Sequence, residues 1–212
     1  MRFKNIHNLY AITDSQLMPG ERLFSAIEAA LKGGCKFVQY RDKSQDTEKR
    51  FNEATKLLAL CNHYQANLII NDDVQLAHQI HAQGVHLGQD DGEVQTARLL
   101  LGDSAIIGVT CHDSLALAEK AVTDGATYIA FGRFFASKTK PHARPAPLSL
   151  LTEAREKFPT RFIVAIGGIT TENAGSILKA GADMIAVCHS LFAADDIEAK
   201  ARSFCIVSPT CL

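Results

Sequence analysis

Apolar residues recur along the chain in short runs, and polar or amphipathic stretches separate one run from the next. The runs are rich in Val, Ile, Leu, Phe and Tyr, and they cover residues 9–13, 37–40, 68–71, 84–87, 106–109, 128–131, 162–166 and 184–187. Strands that are covered on both faces show such near-continuous hydrophobicity, whereas strands with one wet face alternate. The pattern therefore predicts eight strands of a parallel sheet.

The stretches between these runs have helical periodicity. Three apolar stripes illustrate it, namely Leu23, Ala26, Ile27, Ala30 and Leu31; Phe51, Ala54, Leu58 and Cys61; and Leu117, Ala118, Ala121 and Val122. Glycines precede several runs, at Gly33, Gly34, Gly84, Gly125 and Gly181, as left-handed helix caps prefer. Strand and helix alternate throughout, which predicts an α/β protein.

Eight β–α units in little over 200 residues favour a single-domain (β/α)8 TIM barrel. We expect the barrel to cover residues 1–203 and residues 204–212 to form a flexible tail. The alternative is an open flavodoxin-like or Rossmann sheet with five or six strands. For dinucleotide binding it would need a G-x-G-x-x-G motif after the first strand, and residues 13–16, Thr-Asp-Ser-Gln, contain none.

The composition excludes some classes of function but does not identify one. The 212 residues are 47% hydrophobic and 21% charged, and 22 Lys and Arg stand against 23 Asp and Glu. A net charge of −1 gives no counterion-release drive toward nucleic acid or anionic membrane. No apolar run approaches the roughly 18 residues of a membrane span, and the polar N-terminus lacks a signal-peptide pattern. These features predict a cytoplasmic protein, and they are compatible with a homo-oligomer.

Cysteine and histidine are scattered. The six cysteines contain no C-x-x-C pair, so we expect buried free thiols rather than a zinc or redox site. His78 and His81 stand three apart on a predicted helix. Two histidines without a third ligand are a weak metal signal, and surface or capping positions are the better interpretation.

Polar residues concentrate where the predicted strands end, which is the active face of a TIM barrel. Arg41 and Lys43 lie on one side of an extended segment by their spacing of two, so both can reach one phosphate; a surface ion pair is the alternative. Aspartate doublets follow the third and fourth strands. Asp72 or Asp73, together with Asp90 or Asp91, could bind one Mg²⁺, and Asp73 and Asp91 could instead cap the next helices.

Two further segments have residues that could bind a phosphate group. A basic stretch, Ser137, Lys138, Thr139 and Lys140, opens a proline-punctuated loop that would form either a lid or a solvated surface loop. Gly167 and Gly168 precede a helix that we expect to begin at Thr170 or Thr171, and their N–H groups could meet a phosphate. A tight turn is the alternative, but loops after strands seven and eight commonly hold phosphate in this fold.

Taken in order, these motifs resemble the thiamine phosphate synthase family, and the resemblance extends from Leu9 to Asp196. The most specific segments are Gln-Tyr-Arg-Asp-Lys at 39–43, Asn-Asp-Asp at 71–73, Gly-Val-His-Leu-Gly-Gln-Asp-Asp at 84–91, Thr-Lys at 139–140 and Ala-Ile-Gly-Gly-Ile at 165–169. Each segment is weak alone, and the ordered set is specific.

The resemblance implies a role for each matching residue. Gln39, Arg41, Lys43, Asn71, Thr110 and Lys140 would hold a pyrimidine diphosphate, and Asp72 and Asp91 would bind Mg²⁺. Ser137 and Thr139 would face a thiazole phosphate whose phosphate rests on Gly167, Gly168 and the loop near Cys188 and His189. Tyr40, Asp42 and Lys138 lie within the motifs and count among the substrate-binding residues, while Arg41, Lys43 and Lys140 would be catalytic. The family usually has Ser at the positions of Thr110 and His189.

The implied reaction joins 4-amino-2-methyl-5-(diphosphooxymethyl)pyrimidine to thiazole phosphate, or to its carboxylated form, and releases diphosphate. The attacking ring nitrogen has no proton to lose, so catalysis would be electrostatic and dissociative. Two alternatives use the same barrel: a metal-independent thiazole tautomerase with His112 as a catalytic residue, and a non-catalytic thiamine-phosphate sensor. Fold alone also allows a sugar-phosphate isomerase.

Overall fold

The computed structural model describes residues 8–136 and 146–207, which form a closed barrel of eight parallel strands. The strands are β1 (Leu9–Ile12), β2 (Phe37–Tyr40), β3 (Asn67–Asn71), β4 (Gly84–Leu87), β5 (Ile106–Thr110), β6 (Tyr128–Gly132), β7 (Phe162–Ile166) and β8 (Met184–Val187). Each lies within one residue of its prediction. Ala11 of β1 pairs with Val187 of β8, so the sheet closes; the (β/α)8 fold is confirmed and the open sheet is excluded.

Helices surround the barrel. In the described residues they are α1 (Arg22–Lys32), α2 (Thr47–His63), α3 (Val74–Gln79), α4 (Val94–Leu101), α5 (Leu115–Thr123), α6 (Ser149–Lys157), α7 (Ala174–Lys179), α8 (His189–Phe192) and α9 (Ile197–Ile206). Helix α9 extends past the C-terminal limit that was expected for the barrel. Because Phe204 is buried and α9 runs to Ile206, the packed structure extends three residues beyond the expected limit at 203.

Side chains alternate between two buried layers along every strand, as the pleat requires. One layer fills the barrel and includes Tyr10, Phe37, Ile69, Tyr128 and Met184. The other lies between the strands and the helices, with Ala11, Val38, Ile70 and Ile129 among its members. The alternation decides which residues at a strand end point over the barrel and which point toward a helix.

The predicted helical stripes are only partly correct. All five residues of the α1 stripe are buried, but in α2 the buried residues are Ala54, Leu57 and Cys61. Phe51 is 42% exposed, because the contact face of α2 begins one turn later. In α5, Ala118 and Ala121 are buried, whereas Leu117 and Val122 are half-buried at the edge of the face.

One glycine prediction and one helix-start prediction need correction. Gly125 and Gly181 have φ of 96° and 122°, as expected for left-handed residues after helices. Gly84 is instead the first residue of β4, where an added Cβ would lie 1.8 Å from the carbonyl oxygen of Ile106. The absence of a side chain at this position lets β4 approach β5 closely. Helix α7 begins at Ala174, later than Thr170 or Thr171, because a hydrogen-bonded turn comes first.

The remaining expectations concern cysteines and membranes. Cys35, Cys61 and Cys111 are buried free thiols, and Cys188 and Cys205 are free and half-buried, while Cys211 lies outside the described residues. Within ranges 8–136 and 146–207, no helix combines the length and the apolar character that crossing a membrane requires.

Candidate active site

The carboxyl ends of the strands bring most of the predicted site residues to one rim of the barrel. Asn71 and Thr110 end β3 and β5, residues 41–43 follow β2, and Asp72 follows β3. Gly167 follows β7, and Cys188 and His189 follow β8. Ser137, Lys138, Thr139 and Lys140 lie outside the described residues, so their roles stay predictions.

An acidic pair forms the centre of this rim. The backbone N–H of Asp72 donates to the carbonyl oxygen of His86 at 2.8 Å, which ties the end of β3 to β4. Asp91 accepts a hydrogen bond from the N–H of Gly88 at 2.9 Å, between its Oδ2 and the nitrogen. Asp72 has φ of 64°, a left-handed conformation that aspartate tolerates better than most residues. The two aspartates therefore come together from adjacent strands.

The charges of the acidic pair interact. Desolvation raises the pKa of Asp91, and a hydrogen bond to Asp72 and the negative charge of Asp72 raise it further. Lys43 contacts Asp72 through an ion pair and partly opposes the effect. Carboxylate oxygens are the ligands Mg²⁺ prefers, and two adjacent carboxylates with one nearby lysine are under-neutralised. The residues present fit a divalent cation.

A pocket of about 440 Å³ opens beside the acidic pair. Its lining includes Lys43, Arg50, Asn71, Asp72 and Asp91. In the part of the chain that the structure describes, no three His, Cys, Asp or Glu side chains gather as a complete metal site. A cation at the two aspartates would thus take its other ligands from water or substrate.

Asp73 does not join the acidic pair. Its Oδ1 accepts from the N–H of Leu76 at 2.8 Å and caps α3, as one of the alternatives predicted. Its Oδ2 accepts from Nη2 of Arg50 at 2.6 Å. Nε of Arg50 is buried without a partner among the described residues. Arg50 was not predicted, since it lies inside α2, where no strand-end pattern marks it.

The side chains at the end of β2 and just after it point in two directions. The N–H of Arg41 donates to Oγ1 of Thr13 at 2.7 Å, and its guanidinium has no carboxylate partner among the described residues. Tyr40 and Asp42 point the other way, toward α2, where Tyr40 donates to Glu53 at 2.7 Å and Asp42 pairs with Lys49.

Tyr40 and Asp42 were both predicted to bind substrate, and both make their side-chain contacts in the helix layer. Tyr40 is 3% exposed and the Asp42 side chain is 2% exposed, so both are occupied in the helix layer. They hold α2 against the barrel, Asp42 also lines the pocket of about 440 Å³, and the substrate-binding roles of both residues stay predictions.

The opposite side of the rim carries the predicted phosphate loops. Gly167 and Gly168 have φ of 104° and 67° and pack closely on the segment after β6, where a Cβ on Gly167 would lie 2.2 Å from Cβ of Arg133. Cys188 and His189 are half-buried at the start of α8. Burial raises the pKa of the Cys188 thiol to about 12, so it is a neutral lining group. Ile166, 36% exposed at the end of β7, adds an apolar surface.

A chain of buried hydrogen bonds crosses the barrel beneath the rim. Nε2 of Gln39 donates to Oη of Tyr10 at 2.8 Å, and Oη of Tyr10 lies 2.9 Å from Oη of Tyr128. Oη of Tyr128 lies 2.9 Å from Nδ1 of His86, and Nε2 of His86 lies 2.8 Å from Oγ1 of Thr110. We call these five residues the hydrogen-bond chain. It links two predicted substrate-binding residues on opposite sides of the barrel.

Burial sets the protonation of the hydrogen-bond chain. It lowers the pKa of His86 to about 4, against a smaller opposing effect of Asp72. It raises the pKa of Tyr10 and of Tyr128 far above the ordinary tyrosine value. All three groups are neutral near pH 7. None of the three has a role predicted from the sequence, although the period-two alternation places Tyr10 and Tyr128 inside the barrel.

Comparisons with known proteins agree on one family. A family model described as thiamine monophosphate synthase matches residues 9–191. A thiamine-phosphate synthase of Saccharophagus degradans is 56% identical over 206 residues, covering 97% of this chain and 94% of the relative. One from Alcanivorax borkumensis is 51% identical and covers 95% and 94%. The solved thiamine phosphate pyrophosphorylase from Pyrococcus furiosus has a TM-score of 0.83 at 31% identity, covering 93% of each chain.

Proposed function

The chain belongs to the thiamine monophosphate synthase family and is a transferase, and from that premise we propose that it makes thiamine phosphate in a Mg²⁺-dependent reaction. The substrates would be the pyrimidine diphosphate and thiazole phosphate. The observation that carries the proposal is the acidic pair, Asp72 and Asp91, beside Lys43 in the 440 Å³ pocket. A polyanion and a divalent cation are the ligands that such a mixed set of charges would bind together.

The reaction separates charge between a pyrimidine methylene cation and departing diphosphate, so stabilising the negative charge is the main requirement. Asp72 and Asp91 would hold Mg²⁺, which when bound supplies positive charge against diphosphate. Arg41 is available for the same anion because no described carboxylate neutralises it, and Lys43 is held at the rim by Asp72. Lys140 remains a predicted third cation.

The free energies of charge–charge interactions at the rim are large enough to support an electrostatic mechanism. One unit charge about 4 Å from another, at an effective dielectric near 20, contributes on the order of 4 kcal/mol before desolvation. A millionfold acceleration requires roughly 8 kcal/mol. Lys43 is 58% exposed, so its share is reduced by solvent, but Arg41 is half-buried. A few cations at the rim therefore suffice without a general base.

The heterocycles would lie on the less charged side of the rim. Ile166 provides an apolar surface there, and Gly167 and Gly168 lie next to it. We propose that the thiazole phosphate binds at this side, with its phosphate toward the loops after β7 and β8. We also place the reaction in the cytoplasm, an inference supported by the free cysteines among the described residues.

The direct test is a product assay. Protein, Mg²⁺, pyrimidine diphosphate and either thiazole phosphate or its carboxylated form are mixed, and thiamine phosphate and diphosphate are quantified with and without chelator. We expect equal amounts of the two products and no turnover in chelator. Product formation that is undiminished by chelator would contradict the metal-dependent function.

Variants locate the site. Asp72→Asn and Asp91→Asn should each lower turnover by about 100-fold, with partial recovery in excess Mg²⁺. Asp90→Asn is the matched control, because Asp90 is exposed next to Asp91 and makes no hydrogen bond in the described structure. Normal kinetics in both site variants would refute the assignment.

A further inference from the structure

The hydrogen-bond chain has a direction that its donors determine. The amide nitrogen of Gln39 can only donate, so Oη of Tyr10 is an acceptor in that bond. The hydroxyl hydrogen of Tyr10 then points to Oη of Tyr128, and the hydroxyl hydrogen of Tyr128 points to Nδ1 of His86. Nε2 of His86 must carry the imidazole proton and donate to Oγ1 of Thr110.

The opposite direction leaves a donor unpaired. If Nδ1 of His86 carried the proton, Tyr128 would accept it and donate to Tyr10. Tyr10 would then receive two hydrogen bonds and have no acceptor for its own hydroxyl hydrogen among the described residues. Tyr10 is 1% exposed, and a buried unpaired donor is strongly disfavoured.

On the basis of the proposed function, we propose that the hydrogen-bond chain fixes the polarity of the two side chains at its ends. Thr110, having accepted from His86, presents its hydroxyl hydrogen to an acceptor atom of the pyrimidine diphosphate. Gln39, whose amide nitrogen is turned to Tyr10, presents its carbonyl oxygen to a donor of the same substrate. Tyr10, Tyr128 and His86 are positioning residues, since they act through Gln39 and Thr110.

Packing holds Tyr128 in the geometry the chain needs. Its ring stacks on His86 with centroids 5.6 Å apart and meets Tyr10 and Phe37 edge-on. Gly108 provides the space, because a Cβ there would lie 1.9 Å from Cζ of Tyr128. The hydroxyl of Tyr128 is therefore aimed by the fold and needs no substrate to place it.

The direction can be measured without any substrate. Long-range ¹H–¹⁵N correlation spectra of ¹⁵N-histidine-labelled protein at pH 7.5 distinguish the two neutral tautomers of His86. We expect the Nε2–H tautomer, with an unprotonated Nδ1. The Nδ1–H tautomer in the wild-type protein would overturn the proposal.

The consequence for binding is tested by calorimetry with the pyrimidine diphosphate and Mg²⁺. Tyr128→Phe keeps the ring and removes the link, and we expect about tenfold weaker binding with little change in KM for thiazole phosphate. Tyr64→Phe is the matched control, because it removes a hydroxyl bonded to Glu28 in the helix layer, far from the hydrogen-bond chain. Equal affinity of Tyr128→Phe and wild type would overturn the proposal.

A double-mutant cycle adds a test that loss of packing cannot imitate. Thr110→Val should also weaken binding, and the double variant should lose clearly less than the sum of the two single losses, because both changes remove the hydrogen bond that Thr110 donates to the substrate. Fully additive losses would contradict the proposal. A wild-type protein that shows the expected tautomer and cycle but makes no thiamine phosphate would instead contradict the proposed function alone.

Discussion

The histidine beneath the active-site rim makes folding stability depend on pH in a defined window. His86 is 8% exposed, and burial lowers its pKa from 6.5 to about 4. In the unfolded chain the same imidazole binds a proton below pH 6.5, while in the folded protein it does not. Stability is therefore greatest above pH 6.5 and falls as the pH decreases toward 4, by about 2 kcal/mol at pH 5.

The perturbation that isolates this effect is His86→Gln, which removes the titrating group but keeps a polar side chain. Free energies of unfolding in urea are compared at pH 7.5 and pH 5, with chelator present so that no metal alters the charge of Asp72. Between pH 7.5 and pH 5, the free energy of unfolding of the wild type should fall by about 2 kcal/mol more than that of the variant. The His86 proton resonances should also stay constant over that range. Equal losses in the two proteins, or an NMR titration near pH 6.5, would refute the reasoning.

Three further predictions use single substitutions. Gly108→Ala should push the Tyr128 ring aside, costing about 1 to 3 kcal/mol in urea unfolding and weakening pyrimidine diphosphate binding; wild-type values for both would contradict the close contact. Arg50→Met should remove the ion pair that joins α2 to Asp73 and lower the free energy of unfolding in urea by about 1 kcal/mol; an unchanged free energy would show that the pair contributes nothing to stability. His112→Ala should change turnover far less than the roughly 100-fold expected for loss of a general acid or base, and a loss that large would favour proton-transfer chemistry.

The fold could be predicted from the sequence because its signal is local. Eight apolar runs mark eight strands, and the intervening stripes and glycines mark most of the helices. Phe51 and Leu57 show where this reasoning fails: helical spacing gives the width of a contact face but not where along α2 the contact with the barrel begins. That position depends on how the helix docks, which is a tertiary property.

The site could be predicted less completely. Strand-end position correctly brought Asp72 and Asp91 to one rim, and it gave Asp73 as a cap. The same motif, however, includes Tyr40 and Asp42, which serve α2; applying the period of two to every residue after β2 would have separated them from Arg41. Arg50 and the hydrogen-bond chain depend on contacts between distant segments, and no spacing along the sequence encodes those contacts.

The backbone of Asp72 limits what evolution and mutagenesis can do at that position. With φ at 64°, the left-handed backbone is easiest for glycine and, among residues with a Cβ, for asparagine, which like aspartate can hydrogen-bond to the local main chain. An alanine scan there would combine a lost carboxylate with a deformed loop and exaggerate the importance of the charge. Asparagine alone separates the two effects, and a natural homologue with a β-branched residue at this place would have to trace a different path between β3 and α3.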